Sequence, residues 1–234
     1  MIRLDKILGH TGWGSRKQIK ELCRGGAVTV DGTVVRDSAV KVDPEAQVIA
    51  VHGNSVAYAE HYYLMLNKPA GVVSATEDRI SPTVIGLLPQ QYQGASLFPV
   101  GRLDKDTTGL LLLTNDGVWA HRITAPKKHI DKRYEAVVDG PIPADIDSRF
   151  RRGIILDDGL ECLPAQAAVT GPQRLSIIVQ EGKFHQVKRM CAAVGLTVTA
   201  LRRCSIGNLQ LDSALAPGAF RPLTVGEREM PFSK

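Results

Sequence analysis

The segment from Phe98 to Gly117 constrains this chain of 234 residues more than any other. Within it, Gly109 is followed by four consecutive leucines, Leu110 to Leu113. A run with no apolar–polar alternation has no face to offer to water, so these residues must form a deeply buried strand. Directly before the strand lies a polar loop, Arg102-Leu103-Asp104-Lys105-Asp106-Thr107-Thr108. Loops anchored to buried strands are where proteins place reactive groups. On this pattern alone Asp104 stays open to three readings: turn residue, cap or catalytic carboxylate.

The chain is long enough for a small domain plus a medium one, with ample material for a core. Its 44% hydrophobic and 23% charged content is ordinary for a globular protein, and no apolar run approaches a membrane span. Met1 to Lys6 enters an amphipathic pattern at once, without the regions of a secretory signal, so a cytoplasmic location is expected. Cys23, Cys162, Cys191 and Cys204 are scattered without metal-knuckle or redox spacing, which predicts reduced, mostly buried thiols and no metal site.

Net charge is +5, a mild excess that favours a polyanionic partner. Its distribution says more. Residues 1–24 hold Arg3, Lys6, Arg16, Lys17, Lys20 and Arg24 against Asp5 and Glu21. From 183 to 203, Lys183, Lys188, Arg189, Arg202 and Arg203 meet no acid, and Arg122, Lys127, Lys128, Lys132 and Arg133 meet only Asp131. Concentrations far apart in sequence suit a protein that grips phosphates at separate places, although each alone is equally consistent with solvated surface charge.

The N-terminal segment reads as a compact unit. Leu4, Ile7 and Leu8 give a helical rhythm, Gly12 to Gly14 break it, and Ser15 caps a second helix whose apolar Ile19 and Leu22 oppose Arg16, Lys17, Lys20 and Arg24. After Gly25-Gly26, the strands 27–30 and 33–35 flank Asp31-Gly32, a pair suited to the two positive φ angles of a tight hairpin turn. Short strands follow at 40–42 and 48–51. This order resembles the S4 RNA-binding module, named for a small-subunit ribosomal protein. The resemblance implies that Arg3, Arg16, Lys17 and Lys20 face RNA phosphates; a helical hairpin that merely packs on its neighbour is the alternative.

The polar stretch 52–60 reads as a linker, which puts an S4-like domain at 1–59 and a second domain at 60–234. Strands at 62–66, 110–113, 134–138 and 175–179 alternate there with helical stretches at 84–88 and 185–194, an α+β pattern.

The segment "GRLDKDTTGLLLLTNDG", 101–117, is similar along its whole length to the signature of pseudouridine synthases, most closely those of the RsuA type acting on ribosomal RNA. Asn67 to Ser74 is similar to the family's "NKPxG" element, His129 to Tyr134 to its "KxY" element, Glu181 to Met190 to its "EGRxHQVKRM" element and Leu215 to Thr224 to its closing segment. The resemblance implies a large mixed, mainly antiparallel sheet flanked by helices, with the cleft across its middle. It assigns Asp104 as the essential carboxylate, Arg102 to displacement of the target nucleotide, Tyr134 to contact with the flipped base and Lys188 as the cation paired with Asp104. Lys183, His185 and Arg189 are expected to contact RNA. Taken singly, Tyr134 at a strand start reads more readily as a core residue, and His185 with Lys188 as a solvated stripe.

Isomerising uridine breaks the bond from ribose C1′ to uracil N1, turns the base and rejoins C1′ to C5. Nothing is oxidised, added or lost, so no cofactor is expected. The reaction needs an ionised carboxylate that attacks C1′ or removes a sugar proton. A cation within about 4 to 6 Å favours the ionised form, the role given to Lys188. The short C-terminus and "TAPKKHIDKRY", 124–134, look more like the enzymes acting on small-subunit RNA, whose target would be uridine 516 of the 16S molecule, free or in an assembly intermediate. Nothing demands more than a monomer. The alternatives are a large-subunit (23S) enzyme, a non-catalytic RNA-binding assembly factor and a base-releasing glycosidase. The last would need a carboxylate partner for Asp104, and only Asp106 is near in sequence.

Overall fold

The computed structural model describes residues 1–233, which divide into two compact units. The first contains Met1–Tyr62 together with Ile85–Phe98, and the second Tyr63–Val84 together with Pro99 onward.

In the first unit, β1 (Ile2–Arg3) leads into α1 (Leu4–His10) and then α2 (Arg16–Arg24). Ser15 caps α2 in a reciprocal box with Gln18, satisfying two backbone donors that would otherwise have no partner. The strands β2 (Val28–Val30), β3 (Thr33–Val34), β4 (Lys41–Val42), β5 (Ile49–Val51) and β6 (Asn54–Ser55) follow. They pair as β3-β2-β5-β6 and β1-β4. Asp31 and Gly32, both at positive φ, turn β2 into β3. Leu4, Ile7, Leu8, Ile19, Cys23 and the valines of β2 and β5 form one buried cluster. The short helix α3 (Gln90–Gln93) belongs to this unit, and Gln90 Nε2 donates to the Gly12 carbonyl at 3.2 Å.

The helix expected at 84–88 is instead a turn. Pro82 and Pro89 bracket the segment, and so short a stretch cannot recover the cost of helix nucleation.

The second unit is built on β7 (Tyr63–Lys68), the short β8 (Phe98–Pro99), β9 (Thr108–Thr114), β10 (Lys132–Asp139), β11 (Gln166–Gly171), β12 (Arg174–Val179), β13 (Thr197–Ile206), β14 (Leu209–Gln210) and β15 (Phe220–Pro222). The nine strands form one mixed sheet in the order β11-β12-β10-β13-β9-β7-β15, with β14 on β13 and β8 on β9. The pairings within that order are antiparallel except β13 with β9, which run parallel at Arg202↔Thr108 and Arg203↔Gly109. Leu110 to Leu113 of β9 are inaccessible to solvent, as their unbroken run requires. The helices of this unit are α4 (Gly117–Thr124), α5 (Ile146–Arg151), α6 (Gln186–Ala193) and α7 (Val225–Glu229). Among the described residues no helix is long and apolar enough to cross a membrane. Cys23, Cys162, Cys191 and Cys204 are free thiols, the first three buried.

Candidate active site

The parallel seam of the sheet sets up the site. At Gly109 the chain has φ +100° and lies against the backbone of Arg203, so a side chain there would meet both a strained conformation and the neighbouring strand. Just upstream, the loop carrying Asp104 is fixed from several directions. Ser74 Oγ donates to the Leu103 carbonyl at 2.9 Å and accepts from the Leu103 amide at 3.0 Å. Gly71 N donates to the Lys105 carbonyl at 2.8 Å, and Thr107 N to that of Asp104 at 3.1 Å.

Lys68, at the end of β7, completes this anchoring. Its side chain is wholly buried, and Nζ donates to the carbonyls of Pro69, Asp104, Lys105 and Thr107 at 2.9–3.2 Å. Burial pushes this ammonium down to about 8, while the nearby carboxylates of Asp106 and Asp104 act to raise it. In the sequence Lys68 stood only as a member of the Asn67-to-Ser74 element, with no role of its own. The available signal was a Lys at the end of an apolar strand, a residue type almost never fully buried unless its donors are satisfied.

From the other side, α6 begins just after His185, whose φ of +48° places it in the left-handed region. Lys188 on α6 places Nζ 3.3 Å from Asp104 Oδ2 and 2.6 Å from Asp106 Oδ1. His185 Nε2 lies 3.5 Å from Asp104 Oδ1. Asp104 thus has one cation and one imidazole at its two oxygens. Burial pulls the Lys188 ammonium down, but the hydrogen bond to Asp106 and the charges of both carboxylates outweigh it and hold it above its ordinary value. The same hydrogen bond holds the Asp106 carboxyl below the usual carboxylate range. Asp106 is therefore an ion-pair partner of Lys188.

Asp104 opens onto a cleft of about 820 Å³. Arg102, Tyr134, Lys183 and His185 line the same cleft, so five of the residues singled out in the sequence share one wall system; Lys188 approaches Asp104 from outside that lining. Tyr134 is 8% exposed, and its hydroxyl accepts from Arg203 Nη1 at 3.5 Å.

The basic cluster 183–203 does not act as a single surface. Arg203 is buried in the cleft wall, where Nε donates to the Leu110 carbonyl at 2.8 Å. Lys183 pairs with Glu181 at 3.0 Å and also donates to the Glu161 carbonyl. Arg189 pairs with Asp158 at 2.7 Å and with Asp157. Lys132, from the third basic stretch, is half-buried in the cleft wall; burial and the neighbouring Arg203 push its ammonium down to about 8, against Asp131 and Glu181. In the first unit, Arg3 pairs with Asp5 at 2.6 Å, whereas Arg16, Lys17 and Lys20 of α2 are exposed and form no ion pair among the described residues.

This carboxylate in its cleft falls inside the match to a known family. Residues 62–193 match the family model described as RNA pseudouridylate synthase, and residues 2–48 match the S4 domain. The chain is 46% identical over 230 residues to an uncharacterized RNA pseudouridine synthase of Bacillus subtilis, covering 97% of this chain and 96% of that one. It is 43% identical over 228 residues to the ribosomal small subunit pseudouridine synthase A of Escherichia coli K12, covering 97% and 98%. Among solved structures, a pseudouridylate synthase crystal structure superposes with a TM-score of 0.70 at 36% identity, covering 99% of this chain and all of the other. With a family match over more than half its length and relatives of this identity along nearly all of it, the chain belongs to the RNA pseudouridine synthase family and carries an S4 domain at its N-terminus.

Proposed function

We propose that this protein converts one uridine of small-subunit ribosomal RNA, position 516 of the 16S molecule, to pseudouridine. The observation that carries the reaction is the Asp104 carboxylate at the cleft, with Lys188 Nζ 3.3 Å from one oxygen and the loop beneath it locked by Lys68. An ionised, rigidly held carboxylate is what cleavage of the C1′–N1 bond requires of the protein, whether it attacks C1′ or removes a sugar proton. In this reading Arg102, exposed at the cleft, helps lift the uridine from its helix, and Tyr134 receives the base. Unstacking a nucleotide costs a few kcal/mol, which contacts between base and cleft wall offset.

Residues 1–59 act as the RNA-binding arm through Arg3, Arg16, Lys17 and Lys20, and residues 60–234 carry catalysis. Lys183 and Arg189 reach phosphate by exchanging their carboxylate partners, Glu181 and Asp157 with Asp158, for it. The small-subunit target rests on the relatives named ribosomal small subunit pseudouridine synthase A, which match along nearly their full length. The protein acts in the cytoplasm as a monomer, on the RNA itself or on an assembly intermediate.

The test is incubation of the purified protein, without cofactor, with 16S RNA, 23S RNA and partly assembled subunits, followed by mapping of pseudouridine. A single new pseudouridine in 16S RNA is the expected result. A product in 23S RNA moves the target to the large subunit, and none in any substrate, despite tight binding, replaces catalysis with an assembly role.

A further inference from the structure

Among the exposed large apolar side chains of the described residues, Phe184 is the one aromatic, 73% exposed at the wall of the cleft. A Phe left in water forgoes about 1.5–3 kcal/mol of burial. This ring is nevertheless held in place. It stacks on the imidazole of His185 with centroids 3.8 Å apart and planes 18° from parallel. His185 in turn directs Nε2 to Asp104 Oδ1 at 3.5 Å.

The turn that presents the pair is fixed from below. Lys183 N donates to Gln186 Oε1 at 3.0 Å, and the buried Gln186 donates through Nε2 to Glu181 Oε1 at 2.8 Å. These bonds hold His185 in its left-handed conformation, which disfavours most side chains. Phe184 therefore has one face covered by His185 and an exposed remainder, at a fixed place relative to the catalytic carboxylate.

Extruding a uridine strips the next base along the strand of a stacking partner. Unstacked RNA bases pair readily with aromatic faces, because every base has a π face of its own. We propose that Phe184, backed by His185, is the stacking platform for the RNA base adjacent to the extruded uridine. The stack of base, Phe184 and His185 ends at Asp104, so docking the neighbour sets how far the uridine enters the cleft. The proposal rests on the reading of this chain as an RNA pseudouridine synthase, and it names a contact that the reaction chemistry alone does not require.

The test uses a hairpin built around the uridine that the wild-type protein converts, with 2-aminopurine replacing each neighbouring base in turn. Binding by wild type and by Phe184→Trp is expected to quench the probe at one neighbour, and binding by Phe184→Ala and Phe184→Leu to leave it bright. Affinity for the hairpin should fall about 5- to 100-fold in the Ala and Leu variants and recover in the Trp variant, the range expected for loss of one base–aromatic stack. Leu fills similar space without a π face, so its failure to rescue separates stacking from packing. Quenching and affinity in Phe184→Ala within twofold of wild type overturn the platform while leaving the enzyme reading intact. A wild-type protein that converts no uridine in any RNA overturns that reading and the platform with it.

Discussion

Lys68 holds the carbonyls of Asp104, Lys105 and Thr107 from beneath the loop that carries Asp104. Hydrogen bonds from a charged donor are worth about 1.5–3 kcal/mol each, and acceptors left bare in the interior add a further cost. Lys68→Met, of similar length and without donors, is expected to lose at least about 3 kcal/mol of stability, read from denaturant unfolding. Its turnover should fall even where the variant remains folded, because the Asp104 backbone loses its anchor. Asp104→Asn is expected to abolish pseudouridine formation while RNA affinity stays within a few fold, since the side chain is isosteric and phosphate contacts dominate binding. Full conversion by that variant removes Asp104 from the mechanism. That Asp104 and Lys188 meet could be expected from the sequence, because a long local motif surrounds each. The contacts of Lys68 and Arg203 could not: what their donors do depends on which carbonyls the folded sheet brings within reach, and Arg203 looked like one more surface cation until β13 carried it beneath the cleft.

At the scale of elements, α2 was legible almost residue by residue. Ser15 and Gln18 announce its start, Gly25-Gly26 its end, and Ile19 faces the core while Arg16, Lys17 and Lys20 stay exposed. Those three cations form no ion pair among the described residues, unlike Lys183 and Arg189, so no salt bridge has to break before they meet a polyanion. Reversing charge at Arg16 and Lys17 together should weaken RNA binding and flatten its dependence on salt concentration; an unchanged salt slope in a titration would take α2 out of the interface. Other elements were hidden. The long strand β13 (Thr197–Ile206) mixes exposed and buried positions without clean alternation, so its periodicity gives no strand signal. The segment 84–88 is apolar enough to suggest a helix, yet the prolines on either side leave it a turn.

For the whole molecule, the least local feature is the segment Ile85–Phe98, which packs with Met1–Tyr62 although the second unit surrounds it in sequence. A Cβ added at Gly94 would fall on the Gly9 carbonyl and the Gly12 amide, so the space there admits only glycine. Gly94→Ala is expected to cost about 1–3 kcal/mol through this backbone clash, seen as a lower urea midpoint with an unchanged slope. The sequence by itself determined the buried strand Leu110–Leu113, the capped basic helix, the α+β class and the motifs around Asp104. All of these depend on neighbours within a few turns or strands along the chain, where periodicity, capping and spacing act. Only the tertiary structure decided that β9 and β13 meet in parallel at Gly109, that Lys188 is shared between Asp104 and Asp106, that Lys68 supports the loop from below and that Phe184 stands exposed on His185. Each of these joins residues through packing and hydrogen bonds that exist only once distant segments have been brought together, and no local pattern encodes which partner will arrive.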